Sequence, residues 1–124
     1  MEYDITFKEN VDHLRLEISG TRTRGSEETD AIKSWSKVAE FCKAKNINHI
    51  LAILRITGPM PPWASFQIGA LAEEFGWSRK FRLAVVTLDK ESMKANLFTE
   101  TVAVNRGFDV KIFDNEQDAK IWLL

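Results

Sequence analysis

With 124 residues, 44% hydrophobic and 28% charged, the chain has the size of one domain with a single core, and its composition is not that of a disordered protein. Seventeen Lys and Arg residues against eighteen Asp and Glu residues leave a formal net charge of -1, which argues against nucleic acid or an acidic membrane surface as a partner. We therefore expect one domain over residues 1–124.

The cysteine content and the hydropathy pattern favour a cytoplasmic protein. Cys42 has no second cysteine with which to form an internal disulfide, so we expect a buried thiol in a reducing compartment. The first residues lack the basic and then apolar profile of a signal peptide. No apolar run reaches the roughly 18 residues that a membrane span needs.

The predicted elements begin with an antiparallel hairpin followed by a helix. Apolar and polar residues alternate over Tyr3–Phe7 and again over Leu14–Ile18, on either side of a polar turn. Ser26, followed by two glutamates, is typical of a helix N-cap. The buried face of this helix is predicted to consist of Ile32, Trp35, Val38, Ala39 and Cys42.

A central strand and a second helix come next. The residues of His49–Ile56 are almost all apolar, as in a strand that is covered on both faces. After a proline-rich loop, a helix is predicted from about Pro62 to Phe75, with Gly76 as the C′ residue. Its inward residues are predicted to be Trp63, Phe66, Ala70, Leu71 and Phe75.

The last third of the chain continues the alternation. The predicted strand Phe81–Thr87 precedes a helix that Asp89 caps and Asn105–Gly107 ends. Val110–Phe113 forms the last strand, and Asp114 is predicted to open a capping box and a terminal helix. The buried face of the third helix is predicted to be Met93, Leu97, Thr101 and Val104.

The order ββαβαβαβα predicts an α/β fold with a five-stranded mixed sheet wound by βα units. Strands joined by helices of this length are parallel neighbours with right-handed crossovers, so the first strand is the antiparallel exception at the edge. If polar Arg15 and Glu17 share a sheet face with apolar Leu51 and Ile53, something must cover the apolar part of that face. We expect either uneven coverage by helices or a homodimer.

This pattern resembles the SpoIIAA-like family, usually small bacterial proteins, whose fold is similar to STAS domains and to SEC14-type lipid-binding domains. The resemblance extends from the hairpin end Ile18–Gly20, through the strand His49–Ile56, to the closing segment Phe113–Leu123. It implies a non-enzymatic interaction or regulatory module that binds a protein partner or itself. The alternative that it implies is a carrier or sensor of a small apolar or amphipathic, lipid-like ligand.

Ser65 lies near the position of the serine that a kinase phosphorylates in anti-sigma factor antagonists. Those proteins carry an Asp-Ser-Ser/Thr-Gly signature at the start of the helix after the central strand. Here the Asp is missing, Phe66 stands where the Gly would be, and prolines lengthen the loop. The departure puts a phosphorylation switch in doubt, and the alternative is a local hydrogen-bonding role for the Ser65 hydroxyl.

The loop Gly58–Trp63 is the most unusual segment of the chain. Three prolines stiffen it, and Met60 and Trp63 give it large apolar surface. It follows a parallel strand, and open α/β sheets generally bind ligands at that edge. We predict a ligand- or partner-binding site at Met60, Trp63, Ser65 and Phe66; the alternative is that Trp63 and Phe66 fill the core.

The remaining charged residues offer weaker candidates for sites. Arg22 and Arg24, just before a helix, could bind an anion, but a solvated loop is the preferred interpretation. The basic cluster Arg79–Arg82 invites a nucleic-acid interpretation near Trp77, but a solvated strand start is the simpler one.

No recognisable catalytic or metal-binding motif is present. The two histidines, His13 and His49, have no ligand-spaced partners, and Glu73–Glu74 would be catalytic only if burial raised a carboxyl pKa. The sequence contains no GxSxG, P-loop or GxGxxG pattern. We therefore expect neither an enzyme nor a cofactor.

Overall fold

The computed structural model describes residues 2–124 and confirms the predicted order of elements. The strands are β1 (Asp4–Glu9), β2 (Leu14–Thr21), β3 (His49–Thr57), β4 (Arg82–Thr87) and β5 (Asp109–Phe113). The helices are α1 (Glu27–Lys45), α2 (Pro62–Ala70), α3 (Lys90–Val104) and α4 (Glu116–Leu123).

The five strands form one mixed sheet whose spatial order, β1-β2-β3-β4-β5, is the same as their order in the chain. β1 pairs antiparallel with β2, and every later pair is parallel. Successive right-handed crossovers that move in one direction across a sheet place their helices on the same face. The strand order therefore requires α1, α2 and α3 to lie together.

That three-helix face of the sheet holds the main core. Leu16 of β2, Ala52 of β3 and Val85 of β4 lie in one buried cluster with Val38 and Cys42 of α1. Cys42 is buried, as predicted, and burial raises the pKa of its thiol to about 11. Of the predicted face of α1, Val38, Ala39 and Cys42 are buried and Trp35 packs against the core, whereas Ile32 is only partly buried.

The opposite face of the sheet is covered unevenly, as predicted. Register places Arg15 beside Leu51 and Glu17 beside Ile53, so a polar flank adjoins an apolar centre. The apolar centre is buried under α4 through Ala119 and Leu123.

Arg15 attaches α4 to the polar flank of the sheet. Its guanidinium donates to both carboxylate oxygens of Glu116, with distances of 2.9 Å from Nε and 3.0 Å from Nη2, and it also donates to Glu17. The hydrogen bonds from Arg15 lower the pKa of Glu116 to about 2. The terminal helix is therefore held by a charge-assisted contact in addition to its apolar face.

The predicted buried face of α2 is wrong for Trp63 and Phe66, whereas Phe75 packs against the core as predicted. Trp63 and Phe66 are 55% and 42% exposed, and the buried residues of the helix are Ala64, Ser65, Ile68 and Gly69. The helix also ends at Ala70 instead of Phe75, and a series of turns follows. Small residues face inward because α2 packs closely against α3, where large side chains would not fit.

The predicted buried face of α3 is also wrong, and one predicted cap is displaced. Leu97 and Val104 are 42% and 48% exposed, while the helix buries Ser92, Val102 and Ala103. Apolar residues occur all round α3, so their spacing did not identify the inner face. At α4 the capping residue is Asn115, one position after the predicted Asp114, and its side chain accepts from the Asp118 amide.

Candidate functional site

A cavity of about 100 Å³ lies on the three-helix face, between the sheet and the helices. Its walls are mainly apolar and come from all three of these helices, from the strands and from the connecting segments. Large apolar side chains that line it include Trp35, Leu54, Ile68, Phe75, Trp77 and Phe108. The cavity thus occupies the interior beneath the crossover helices, where a small apolar ligand would be removed from water.

The aromatic wall of the cavity is a packed series of rings. Trp77 lies edge-on to Trp35, with ring centroids 5.6 Å apart, and edge-on to Phe81, with centroids 4.9 Å apart. Such edge-to-face pairs stabilise the positions of the rings beyond the free energy that burial of their surface provides. Trp77 is only 7% exposed, so this wall is formed before any ligand arrives.

One end of the cavity is polar and belongs to the carboxyl edge of the parallel strands. Arg22 follows β2, and its amide donates to the carbonyl oxygen of Thr57 at the end of β3. Its Nη1 donates to the Gly58 carbonyl oxygen at 2.7 Å and to the Ser92 hydroxyl at 2.8 Å. Arg22 thereby joins the loop after β3 to the start of α3, next to the cavity.

Tyr3 provides the second polar group at this end. Its side chain lines the cavity, and its hydroxyl is buried without a hydrogen-bond partner within residues 2–124. Burial raises the pKa of the Tyr3 phenol, so the hydroxyl keeps its proton and remains a donor. A Cβ at Gly20 would lie 2.8 Å from Tyr3 Cδ1, so the ring takes this position because residue 20 has no side chain.

Three other polar side chains of the lining, those of Asn96, Thr99 and Glu100, make hydrogen bonds within the domain. The Asn96 amide donates to Thr87 Oγ1 at 2.9 Å, and the Thr99 hydroxyl donates to the Ser65 carbonyl oxygen at 3.0 Å. Glu100 Oε1 accepts from the backbone amide of Ile112 at 2.6 Å. These contacts connect α3 to its neighbours, whereas Arg22 and Tyr3 keep side-chain donors that have no acceptor among residues 2–124.

The four predicted site residues do not lie together. Met60 lines the cavity, whereas Trp63 and Phe66 lie on the outer surface of α2 and are exposed. Ser65 is 1% exposed, and its hydroxyl has no hydrogen-bond partner among the described residues. A kinase would reach that hydroxyl only if α2 moved away from its neighbours.

Arg22 is the residue whose environment differs most from the solvated loop suggested by the sequence. It is 8% exposed, whereas Arg24 is exposed as expected. The sequence feature that could have identified Arg22 as a site residue is its position directly after a predicted strand, at the carboxyl edge of the sheet. Nothing in the sequence distinguished Tyr3 from the other alternating residues of the hairpin.

The remaining candidates are engaged in surface contacts. Arg79 pairs with Glu73, and Arg82 pairs with Asp109 and lies over the Trp122 ring. Glu74 is exposed. The guanidinium groups of Arg79 and Arg82 are therefore engaged in contacts within the domain, which weakens the nucleic-acid interpretation.

The two histidines lie at the opposite end of the sheet from Arg22. His13 and His49 line one surface hollow, where His13 Nδ1 lies 2.7 Å from Asp12 Oδ1. Within residues 2–124, no group of three or more His, Cys, Asp or Glu side chains is placed to hold a metal ion. Nor does any helix of this part of the chain have the length and apolar character to cross a membrane.

A comparison with solved structures identifies the type of fold. An uncharacterized protein of the DUF3478 family from Shewanella loihica PV-4, described as having a SpoIIAA-like fold, matches with a TM-score of 0.52 and 17% sequence identity. The match covers 99% of this chain and 94% of the other chain. The chain has a SpoIIAA-like fold. No protein-family model and no curated protein matches this SpoIIAA-like domain by sequence.

Proposed function

We propose that this SpoIIAA-like domain is a non-enzymatic carrier or sensor that binds a small apolar or amphipathic ligand in the cavity lined by Trp35 and Trp77. The cavity itself carries the proposal, because it combines buried aromatic walls with polar donors at one end. This combination is typical of small-molecule sites, in which apolar walls supply affinity and a few polar groups fix orientation.

The size of the cavity limits the ligand. An apolar cavity of about 150 Å³ inside another protein binds benzene. A cavity of about 100 Å³ is smaller than that, so it admits at most one ring or a short alkyl chain, and a two-chain lipid would need a much wider opening. Met60 lies in the lining and belongs to the proline-stiffened loop. We expect its flexible side chain to close the cavity over a bound ligand.

Filling the cavity is expected to weaken ligand binding. Ala31 of α1 is 7% exposed and lines the cavity, and leucine would occupy the space of a ligand while preserving helix propensity. We expect Ala31→Leu to weaken binding of benzyl alcohol at least tenfold. The measurement is an NMR titration of the tryptophan indole N–H signals.

The other tryptophans provide controls within the same spectrum. Signals of Trp35 and Trp77 should move with benzyl alcohol, whereas those of Trp63 and Trp122, which lie outside the cavity lining, should not. Ala44→Leu, at an exposed position of the same helix, should bind as the wild type does. If no indole signal moves in the wild type, the proposal is wrong.

A second candidate function is an interaction module that binds a protein partner or itself. The exposed aromatic residues Trp63 and Phe66 favour it, since aromatic side chains are enriched in the buried centres of protein interfaces. The apolar sheet face, which a second subunit was expected to cover if no helix did, is covered by α4 and is not available to a partner. The segment Gly58–Phe66 therefore remains the contact surface of this hypothesis.

Self-association through that segment is expected to depend on Trp63. Sedimentation velocity should show a concentration-dependent dimer that Trp63→Ser reduces at least tenfold, because serine removes most of the apolar contact area. Ile121→Ser is the matched control, since Ile121 is 72% exposed on α4. A dimer that is unaffected by Trp63→Ser would contradict this assignment of the contact surface.

A further inference from the structure

Arg22 is a buried cation that has no ion-pair partner in the part of the chain that the structure describes. No ion pair among residues 2–124 includes it, and its two side-chain acceptors, the Gly58 carbonyl and the Ser92 hydroxyl, carry no net charge. Burial lowers the pKa of the Arg22 guanidinium. A charge that is buried in this way is costly unless an opposite charge accompanies it.

The nearby carboxylates act on Arg22 only at longer range and are engaged elsewhere. Asp89 Oδ2 lies 2.7 Å from the Ser92 hydroxyl, and Glu27 Oε1 accepts from the Gly25 amide at 2.9 Å. Asp30, which influences Tyr3 electrostatically, accepts from the Ser26 hydroxyl at 2.8 Å. These groups moderate the positive charge at the polar end of the cavity but do not pair with it directly.

Three donors at this end have no acceptor among the described residues. Within residues 2–124, Nε and Nη2 of Arg22 donate no hydrogen bond, and the Tyr3 hydroxyl has no partner. The fork of a guanidinium matches the two oxygens of a carboxylate, and a phenol hydroxyl can donate to one of the same oxygens. Both side chains line the cavity, and the Tyr3 ring lies against Gly20, two residues before Arg22.

We propose that the ligand of the cavity is a small monocarboxylate, with its carboxylate held by Arg22 and Tyr3 and its apolar part among Trp35, Phe75 and Trp77. This inference rests on the proposed carrier or sensor function and specifies the chemical class of its ligand. The volume limits the apolar part to about one aromatic ring or a short alkyl chain. Glu100, whose carboxylate repels an anion, is already bound to Ile112.

Matched pairs of acids and amides test the charge of the head group. Benzoate and benzamide share a ring and nearly a shape, as do hexanoate and hexanamide, but only the acids are anions at pH 7. We expect the wild type to bind each acid at least tenfold more tightly than its amide, measured by calorimetry or by the Trp35 and Trp77 indole signals.

Two variants assign the preference to the proposed residues. Tyr3→Phe removes only a hydroxyl that lacks a partner, so the variant should fold, and its affinity for benzoate should fall about tenfold while that for benzamide changes little. Arg22→Gln should abolish the preference for acids, with circular dichroism to verify its fold. Arg24→Gln, an exposed neighbour, should keep the wild-type preference.

The outcomes separate this inference from the proposed function. If neither acids nor amides bind, the carrier or sensor function is itself overturned. If acids and amides bind equally to the wild type, the cavity is a ligand site but the carboxylate inference is wrong. If the preference for acids survives in both Tyr3→Phe and Arg22→Gln, the carboxylate is bound elsewhere and the inference fails.

Discussion

Replacing Trp77 by alanine is expected to reduce the free energy of unfolding by about 3–5 kcal/mol. The residue is 7% exposed and packs edge-on against both Trp35 and Phe81. Truncation removes these contacts and joins the vacated space to the cavity that Trp77 lines, so the neighbouring rings cannot easily close the gap. Urea unfolding followed by circular dichroism would measure the loss without relying on tryptophan fluorescence.

Trp63→Ala is the matched control for this experiment. The same truncation at a side chain that is 55% exposed should cost less than about 1 kcal/mol. A loss of several kcal/mol at Trp63 would support the alternative that this residue fills the core. A small loss at Trp77 would instead show that the aromatic wall can rearrange, which would weaken the case for a preformed ligand site.

Replacing Gly69 by alanine is expected to destabilise the domain, although alanine usually stabilises a helix relative to glycine by roughly 0.5–1 kcal/mol. A Cβ at this position would lie 2.9 Å from the Thr99 carbonyl oxygen and 2.9 Å from Val102 Cβ, both on α3. Because these atoms belong to the backbone or are attached directly to it, they can be displaced only if the helices move apart. Overpacking of this kind typically costs about 1–3 kcal/mol, so we expect a net loss of about 1–2 kcal/mol.

The same urea experiment measures the effect of Gly69→Ala. A gain in stability would contradict the expectation and would show that α2 can move from α3 without cost. Since Gly69 also lines the cavity, the titration with benzyl alcohol should report any change in its shape. A loss of stability with unchanged ligand binding would confine the strain to the contact between the helices.

The elements of the fold could be predicted because their signals are local. The alternation of the hairpin, the apolar run of β3 and the capping residues near each helix fix the order of elements, and that order restricts the sheet topology. The polar flank of the second sheet face was also predictable. The side chains of Arg15 and Glu17 alternate with buried leucines, and strand periodicity assigns them to one face.

The inner faces of α2 and α3 could not be predicted by the same reasoning. The sequence contains more large apolar residues on these helices than the core can hold, and Trp63 and Leu97 remain largely exposed. Which residues turn inward depends on the close approach of the two helices at Gly69. That distance is a tertiary property, and hydrophobic spacing within a single helix does not record it.

The candidate site was only partly predictable for a related reason. Met60 was identified because its loop has an unusual composition and follows a parallel strand. Tyr3, Arg22 and Trp77 come from distant parts of the chain and share no motif, so only the folded sheet and helices bring them to one cavity. The unused donors of Tyr3 and Arg22 are defined by partners that are missing from their surroundings, which no sequence pattern indicates.

The identical spatial and sequential order of the strands has a consequence for how the protein is made. Each strand pairs with the one synthesised just before it, so the sheet can grow strand by strand as the chain leaves the ribosome, without long loop closures. The segment containing α4 emerges after all five strands. Until it docks, Leu51, Ile53, Ala84 and Val86 have no cover, and the nascent domain exposes an apolar surface suited to a chaperone.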